Sequence, residues 1–426
     1  MINAESLDAV AAAQLDQRFI RPLYADYGFA QIPQTLRYCL GASERRGVPF
    51  GARDDLYQAY DAVILLFVDA FGWRFFERYA DRSGFLRRFV DHGLVSKLTS
   101  QFPSTTAAHV TAIHTGLPVG QSGVFEWFYY EPRLDALIAP LLFSFAGDKQ
   151  RDTLVAAGAD PAALYPAPTL YQELRQHGVD SYTFQPVAYA SSPYSRHVVR
   201  GAQIRPYRTL AEGIVNLTQQ IERQERRSYY YMYVDGIDTI AHAHGPESPQ
   251  LAAEIEMFLY AAERLLHSAL ARGRRRTLLL MTADHGQTAT DPATTIYLNR
   301  RLPQLERWLK TDRAGRPLVP AGSCRDMFLY VREAQLEEAQ AELARALEGH
   351  ADVRRVADLV AQGFFGASPP APVFNERVGN LVILPYHGES VWWHTPGRFE
   401  QKHYGNHGGL TRDEMEIQLL ALPYGD

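Results

Sequence analysis

Asp69, Asp238, His242, Asp284, His285 and His407 are residue types that ligate divalent cations, and each of the first five lies within a few residues of the end of an apolar run. Asp69 directly follows "AVILLFV" at 62–68. After "YYYMYV" comes "DGIDTIAHAHGP", in which Asp238 and His242 are four apart and share one face of any helical turn that starts there. "TLLLMTA" is followed by Asp284, His285 and Gly286, and "YGNHGG" presents His407 among glycines. Taken singly, each has an ordinary explanation: an Asp at a strand end caps a helix, and an Asp–His pair decorates a surface. Together they supply ligands for two sites of three side chains each, suited to Zn²⁺ or Mn²⁺. Two such ions about 4 Å apart hold the attacking and departing oxygens of an in-line displacement at phosphorus.

That chemistry needs a nucleophile, and "QFPSTTAAHVTAIHTG" at 101–116 crowds Ser104, Thr105 and Thr106 before a short helix closed by Gly116. One hydroxyl can cap the helix and another can attack, beside N–H groups that face an anion. A metal ion lowers a bound water's pKa from about 15.7 to about 7, on the order of 12 kcal/mol, whereas a helix N-terminus contributes about 0.3–1 kcal/mol. His109 and His114, inside the helix, read as structural; His244 falls near the ligands in sequence.

The elements that must position these residues are short buried strands at 62–68, 229–234, 277–283, 327–331, 380–386 and 416–422, alternating with helical patterns such as 249–273 and 333–349. The alternation predicts an α/β fold, a mostly parallel sheet covered by helices on both faces. Open sheets of this kind hold ligands at the strand ends. Residues 1–60 form an N-terminal arm on a catalytic domain at 61–426. The stretches 117–215 and 291–400 break the rhythm and are expected as lid insertions above the sheet.

The chain has 426 residues, 46% hydrophobic and 21% charged, with a net charge of −5. These values exclude a disordered chain and leave no basic footprint for a nucleic acid polymer. Cys39 and Cys324 sit in no paired motif, so no disulfide framework or thiolate zinc site is expected, although one bond between them is open. The N-terminus lacks a signal-peptide pattern and no apolar run is long enough to span a bilayer, so the expectation is a cytoplasmic protein without a membrane partner.

In chain order, "FPSTT", "TGLPVGQSGV", "DTIAHAHGP", "ADHGQT" and "GNHGG" resemble the alkaline phosphatase superfamily, and most closely its branch of nucleotide pyrophosphatases and type I phosphodiesterases. The resemblance covers residues 69 to 407. It implies two Zn²⁺ ions, one held by Asp69, Asp284 and His285 with Thr106 bridging as nucleophile, the other by Asp238, His242 and His407. Thr105 is the second choice for the nucleophile, and Asp235 competes with Asp238. The implied activity is hydrolysis of a small phosphodiester or pyrophosphate, such as a nucleotide, through a covalent threonine intermediate. A phosphomonoesterase, a phosphonate hydrolase, a phosphomutase and a non-catalytic binder are the alternatives. Where the branch carries a phosphate-binding asparagine, this chain has Trp127 beside Glu126, and an indole ring cannot supply that amide donor. Glu126, Trp127 and Arg196 are therefore the candidate substrate-binding residues. Tyr129, Tyr130, Tyr165, Tyr189 and Tyr194 are available to stack on a base, and Arg200, Arg205 and Arg208 to bind phosphate.

Overall fold

Seven strands form the central sheet of the computed structural model, which describes residues 1–425. In chain order they are β1 (Ala62–Val68), β2 (Leu94–Thr99), β3 (Asp180–Pro186), β4 (Gln203–Tyr207), β5 (Ser228–Val234), β6 (Thr277–Thr282) and β7 (Glu416–Tyr424). Across the sheet the order is β2-β7-β6-β1-β5-β3-β4, with β7 alone antiparallel to its neighbours. Every residue of β1 and β6 is buried. A parallel sheet flanked by helices has no wet face, which is why these strands read as unbroken apolar runs.

The flanking helices carry the expected periodicity. Helix Pro249–Ala261 starts at Ser248, whose hydroxyl accepts from Leu251 N, and buries Leu251, Ile255, Phe258 and Leu259 along one face. Its continuation widens into a π-helical segment at Ala262–His267 before ending at Leu270.

Two expectations change. The stretch 117–215 is only partly an insertion, because it contributes β3 and β4 to the central sheet. The runs at 327–331 and 380–386 do not enter that sheet. Met327–Leu329 and Ala351–Arg355 pair antiparallel on either side of Leu381–Pro385, making a separate small sheet. Cys39 and Cys324, between which the sequence leaves one bond open, are both buried as free thiols.

The loop that carries His407 is fixed from beneath. Arg325 and Glu414, both fully buried, form a bidentate pair at 2.9 Å, and Glu414 Oε1 also accepts from Gly409 N at 3.0 Å. Gly408 has φ +127°, and a Cβ there would lie 2.7 Å from Asp326 Oδ1. Only glycine fits that backbone conformation and that space. No helix among the described residues is long and apolar enough to cross a membrane.

Glu414→Gln should cost about 3–5 kcal/mol in chemical denaturation, because it leaves the Arg325 charge buried without its partner. A loss below about 1 kcal/mol would mean that the pair does not hold this loop.

Candidate metal centre

β6, β1 and β5 are adjacent and parallel, so their C-terminal ends open at the same edge of the sheet, about 4.8 Å from one strand to the next. Asp69 follows β1. Asp284 and His285 follow β6. Asp235 follows β5 and leads into helix Gly236–His244, which carries Asp238 and His242. Thr106 is the first residue of helix Thr106–Thr115, and His407 reaches the edge from its loop. Gly286 is required here, since a Cβ on it would meet Asp413 O at 2.1 Å.

The side chains expected as ligands converge. His285 Nε2 lies 3.4 Å from Asp69 Oδ1 and 3.4 Å from Asp284 Oδ2. Both of those oxygens are buried without a hydrogen-bond partner, the condition that a cation relieves. Thr106 Oγ1 is 3.2 Å from His285 Nε2 and 3.4 Å from Asp69 Oδ2. Asp238 lies 3.4 Å from His242 Nε2 and 3.8 Å from His407 Nε2. Among the described residues, donor atoms gather in two overlapping groups: Asp69 with Asp284 and His285, and Asp238 with His285 and His407. The second group differs from the expected one in holding His285 instead of His242. The rings of His285 and His407 stack with centroids 3.5 Å apart, which brings His285 within reach of both groups, while His242 stands at the rim beside Asp238.

All three imidazoles face the centre in the same way. Nδ1 of His242, His285 and His407 hydrogen-bonds to the carbonyls of Gly405 (2.6 Å), Gly286 (2.9 Å) and Ser104 (3.0 Å). A carbonyl only accepts, so Nδ1 carries the proton and Nε2 presents a lone pair inward, the arrangement in which histidine binds metals. His109 contrasts with them: Nδ1 donates to Thr105 O and Nε2 accepts from Gln101 N, so its ring is fully engaged. His114 is likewise taken up by Tyr171, while His244 is exposed and lines neither cavity described below.

Burial, and then the carboxylates of Asp284 and Asp238, hold Asp69 well above its ordinary range. Burial also pushes Asp238 and Asp284 up to about 7, and lowers His242 to about 4. Three acids resisting ionisation beside three neutral imidazoles form a donor set that fits divalent cations. Two neighbours that sequence reasoning passed over steady these acids. The Tyr233 hydroxyl donates to Asp69 Oδ2, and Gln287 Nε2 donates to Asp238 Oδ1 at 2.5 Å. Asp235 is held apart by the Tyr189 hydroxyl at 2.7 Å and joins neither group.

None of the three hydroxyls at 104–106 caps its helix, contrary to expectation. Ser104 Oγ donates to Gly409 O at 2.7 Å and accepts from Gly408 N at 3.1 Å, tying the His407 loop to the helix. Thr105, at the N-cap position, makes no side-chain bond to the helix N–H groups. Thr106 alone turns into the centre.

Two cavities meet at Thr106 and Asp238, with Trp127 lining both. One, of about 200 Å³, is walled by Tyr189, Tyr194, Tyr231 and Tyr233, with Arg151 at its border. The other, of about 410 Å³, is bordered by Glu126, Phe128, Trp392, Arg398 and Phe399. Arg196 is exposed and lines neither, because its helix turns Tyr194 and Ser195 inward; Arg205 and Arg208 are also exposed and lie elsewhere. Tyr129 and Tyr165 belong to the core.

A model of the type I phosphodiesterase / nucleotide pyrophosphatase family matches residues 63–410. No curated protein matches the chain at a significant level. Murine ectonucleotide pyrophosphatase / phosphodiesterase 5 shares its fold at TM-score 0.63 and 16% identity, over 86% of this chain and 88% of that one. An inactive variant of the murine protein, solved in complex with AMP, is equally similar at 16% identity and TM-score 0.63, over 85% of this chain and 87% of that one. Phosphonoacetate hydrolase from Sinorhizobium meliloti, in complex with phosphonoformate, aligns at TM-score 0.59 and 17% identity, over 84% and 89%.

The raised acids make metal and protons competitors. In the metal-free fold, the stability contributed by protonated Asp238 and Asp284 is complete below about pH 4 and is lost as pH rises through about 7. Stripping metal with a chelator should therefore lower Tm more at pH 7.5 than at pH 5.5, measured by differential scanning fluorimetry. An equal drop at both values would contradict the assignment of these acids to the metal centre.

Proposed function

Because the chain belongs to the type I phosphodiesterase / nucleotide pyrophosphatase family, we propose that it hydrolyses a small phosphodiester or phosphoanhydride at Thr106, with two divalent ions, zinc foremost, as cofactors. Asp69, Asp284, His285 and Thr106 would hold one ion; Asp238, His242 and His407 would hold the other, with His285 close to both. Bound there, such ions neutralise phosphoryl oxygens and lower the pKa of a coordinated hydroxyl.

The observation that carries this reading is the place of Thr106. Its hydroxyl sits 3.4 Å from Asp69 Oδ2 at the first turn of a helix and opens to both cavities. Asp69 Oδ2 and His285 Nε2 are both acceptors within reach of its proton. As Thr106 Oγ1 bonds to phosphorus, its proton passes to the Asp69 carboxylate and on to solvent, the bond from phosphorus to the leaving oxygen breaks, and that oxygen departs with a proton from solvent. Water then cleaves the threonyl phosphoester and restores the hydroxyl. N–H groups at the start of helix Thr106–Thr115 face the phosphoryl oxygens.

Two cavities that meet at Thr106 favour a phosphorus carrying two substituents. The tyrosine-walled cavity suits a flat or apolar group, and the wider one suits the second substituent. A monoester would leave one of them empty.

Bis-p-nitrophenyl phosphate, a nucleotide p-nitrophenyl ester, p-nitrophenyl phosphate and phosphonoacetate form the test panel, with the first two expected to turn over fastest. Thr106→Ala should lower kcat by roughly 10³-fold or more while metal content by elemental analysis stays near the wild-type value. Undiminished turnover in this variant would reject the nucleophile.

A further inference from the structure

The tyrosine-walled cavity and the wider one are bordered by loops from two distant parts of the chain. Leu141, Leu142 and Arg151 reach the first cavity from residues 140–152, and Arg398 and Phe399 reach the second from residues 395–400. Each loop is a closed unit. In the first, Asp152 N donates to Leu142 O at 2.9 Å and Ser144 Oγ donates to Gln150 O at 2.9 Å. In the second, Thr395 and Phe399 exchange two backbone hydrogen bonds of 2.9 Å, and Arg398 N donates to Thr395 O at 3.0 Å. Among the described residues a single hydrogen bond joins the two loops: Arg398 Nη2 donates to Ala146 O at 2.7 Å. The guanidinium carbon of Arg398 also lies 5.3 Å from the centre of the Phe399 ring. Gly147 has φ +79°, and a Cβ on it would stand 2.5 Å from Arg398 Nε and 2.6 Å from the tip of the Phe399 ring. Glycine is what lets the loops meet there.

Resting on the phosphodiester reading of the site, we propose that Arg398 is a specificity-determining brace: it fixes the outer walls of the two cavities against each other and so favours substrates whose substituents are large enough to reach those walls. The cavities meet at Thr106, so a diester placed there sends one substituent toward each. A small substituent stays beside the metal centre and does not feel the loops. A large one, an aryl or nucleoside group, rests on Leu141 and Leu142 or on Phe399, and its affinity depends on how firmly those side chains are held in place beforehand. Phe399 is packed on the inside by the edge of Phe128, with ring centroids 5.8 Å apart, and Phe128 in turn stacks on Trp392 at 6.4 Å. Arg398 supplies the link to the facing loop. A guanidinium between a carbonyl oxygen and an aromatic ring has the partners it suits best. Anchoring a negative group of the substrate is the poorer role for it, because Nη2 is spent on Ala146 O and Glu400, on the same cavity wall, would meet an anion with like charge. Arg398 is thus a positioning residue that acts through the walls it holds.

The test reads kcat and KM for a nucleotide p-nitrophenyl ester and for methyl p-nitrophenyl phosphate, with Tm and metal content, in Arg398→Ala, Arg398→Lys and the double variant Gly147→Cys/Arg398→Cys. Without the brace, Arg398→Ala should lower the ratio of kcat/KM for the large ester to that for the small one by about tenfold or more, chiefly through KM, with metal content unchanged. Arg398→Lys, whose ammonium still donates to Ala146 O, should keep the ratio within about threefold of wild type. A Cβ added to Gly147 would lie 2.6 Å from Arg398 Cγ. The two introduced thiols therefore stand within reach of a disulfide, which spans about 3.5–4.5 Å between Cβ atoms. Reduced, the double variant should resemble Arg398→Ala; oxidised, the covalent bond replaces the brace and should raise the ratio again by about fivefold or more. Both states carry the same side chain at position 147, so backbone strain there cancels in the comparison. The proposal is overturned if Arg398→Ala leaves the ratio unchanged, or if Arg398→Lys falls as far as Arg398→Ala. It is equally overturned if the double variant fails to cross-link, or if cross-linking slows the large ester below the reduced form, which would make the loops a gate that has to part. A wild-type protein that hydrolyses neither ester would instead refute the phosphodiester reading, while cross-linking would still test the contact between the loops.

Discussion

Like charges cannot share a buried edge without something positive between them, and this fold brings Asp69, Asp238 and Asp284 to such an edge. The cause is topological: three neighbouring parallel strands end together, and each is followed within a few residues by an acid. Burial, and after it repulsion from neighbouring carboxylates, holds these carboxyls above their ordinary range. The same sheet could have ended on polar neutral residues at no such cost. Acids beside imidazoles whose Nε2 atoms point inward form a donor set that suits divalent cations.

The rest of the site serves that edge. The Tyr233 hydroxyl and Gln287 take up the second lone pairs of Asp69 and Asp238. Ser104 joins the Thr106 helix to the loop of His407 through two hydrogen bonds, and the Arg325–Glu414 pair fixes that loop from the core side. Positional precision therefore reaches His407, a loop residue, from two directions. The in-line displacement proposed for this site would tolerate little error in the placement of its charges, and this cross-bracing supplies rigidity.

Much of this was legible in the chain itself. β1, β5 and β6 announced themselves as apolar runs because both faces of a central parallel strand are dry, and the acids behind them were conspicuous for the same reason. β2 was not legible: "LVSKLT" places Lys97 mid-strand, and only the fold supplies the Glu416 carboxylate, 2.7 Å away, that allows its burial. β3 and β4 hid in a stretch rich in Tyr, Arg and Pro. Pro206 is tolerated there because β4 is an edge strand. The hydroxyls at 104–106 show the limit most clearly, since local pattern predicts a cap whereas Ser104 answers to Gly409, 305 residues away, and Thr106 to Asp69 and His285. The position of His285 between both donor groups likewise depends on a ring stack that no spacing rule contains.

The central claim is that two ions sit at this edge. Anomalous diffraction from crystals of the purified, metal-loaded protein tests it most directly, with data collected on either side of the zinc absorption edge. The account predicts two peaks per chain, one among Asp69, Asp284 and His285 and one among Asp238, His242 and His407, with Thr106 Oγ1 in contact with the first. A single peak, or peaks elsewhere on the molecule with this cluster empty, would contradict it.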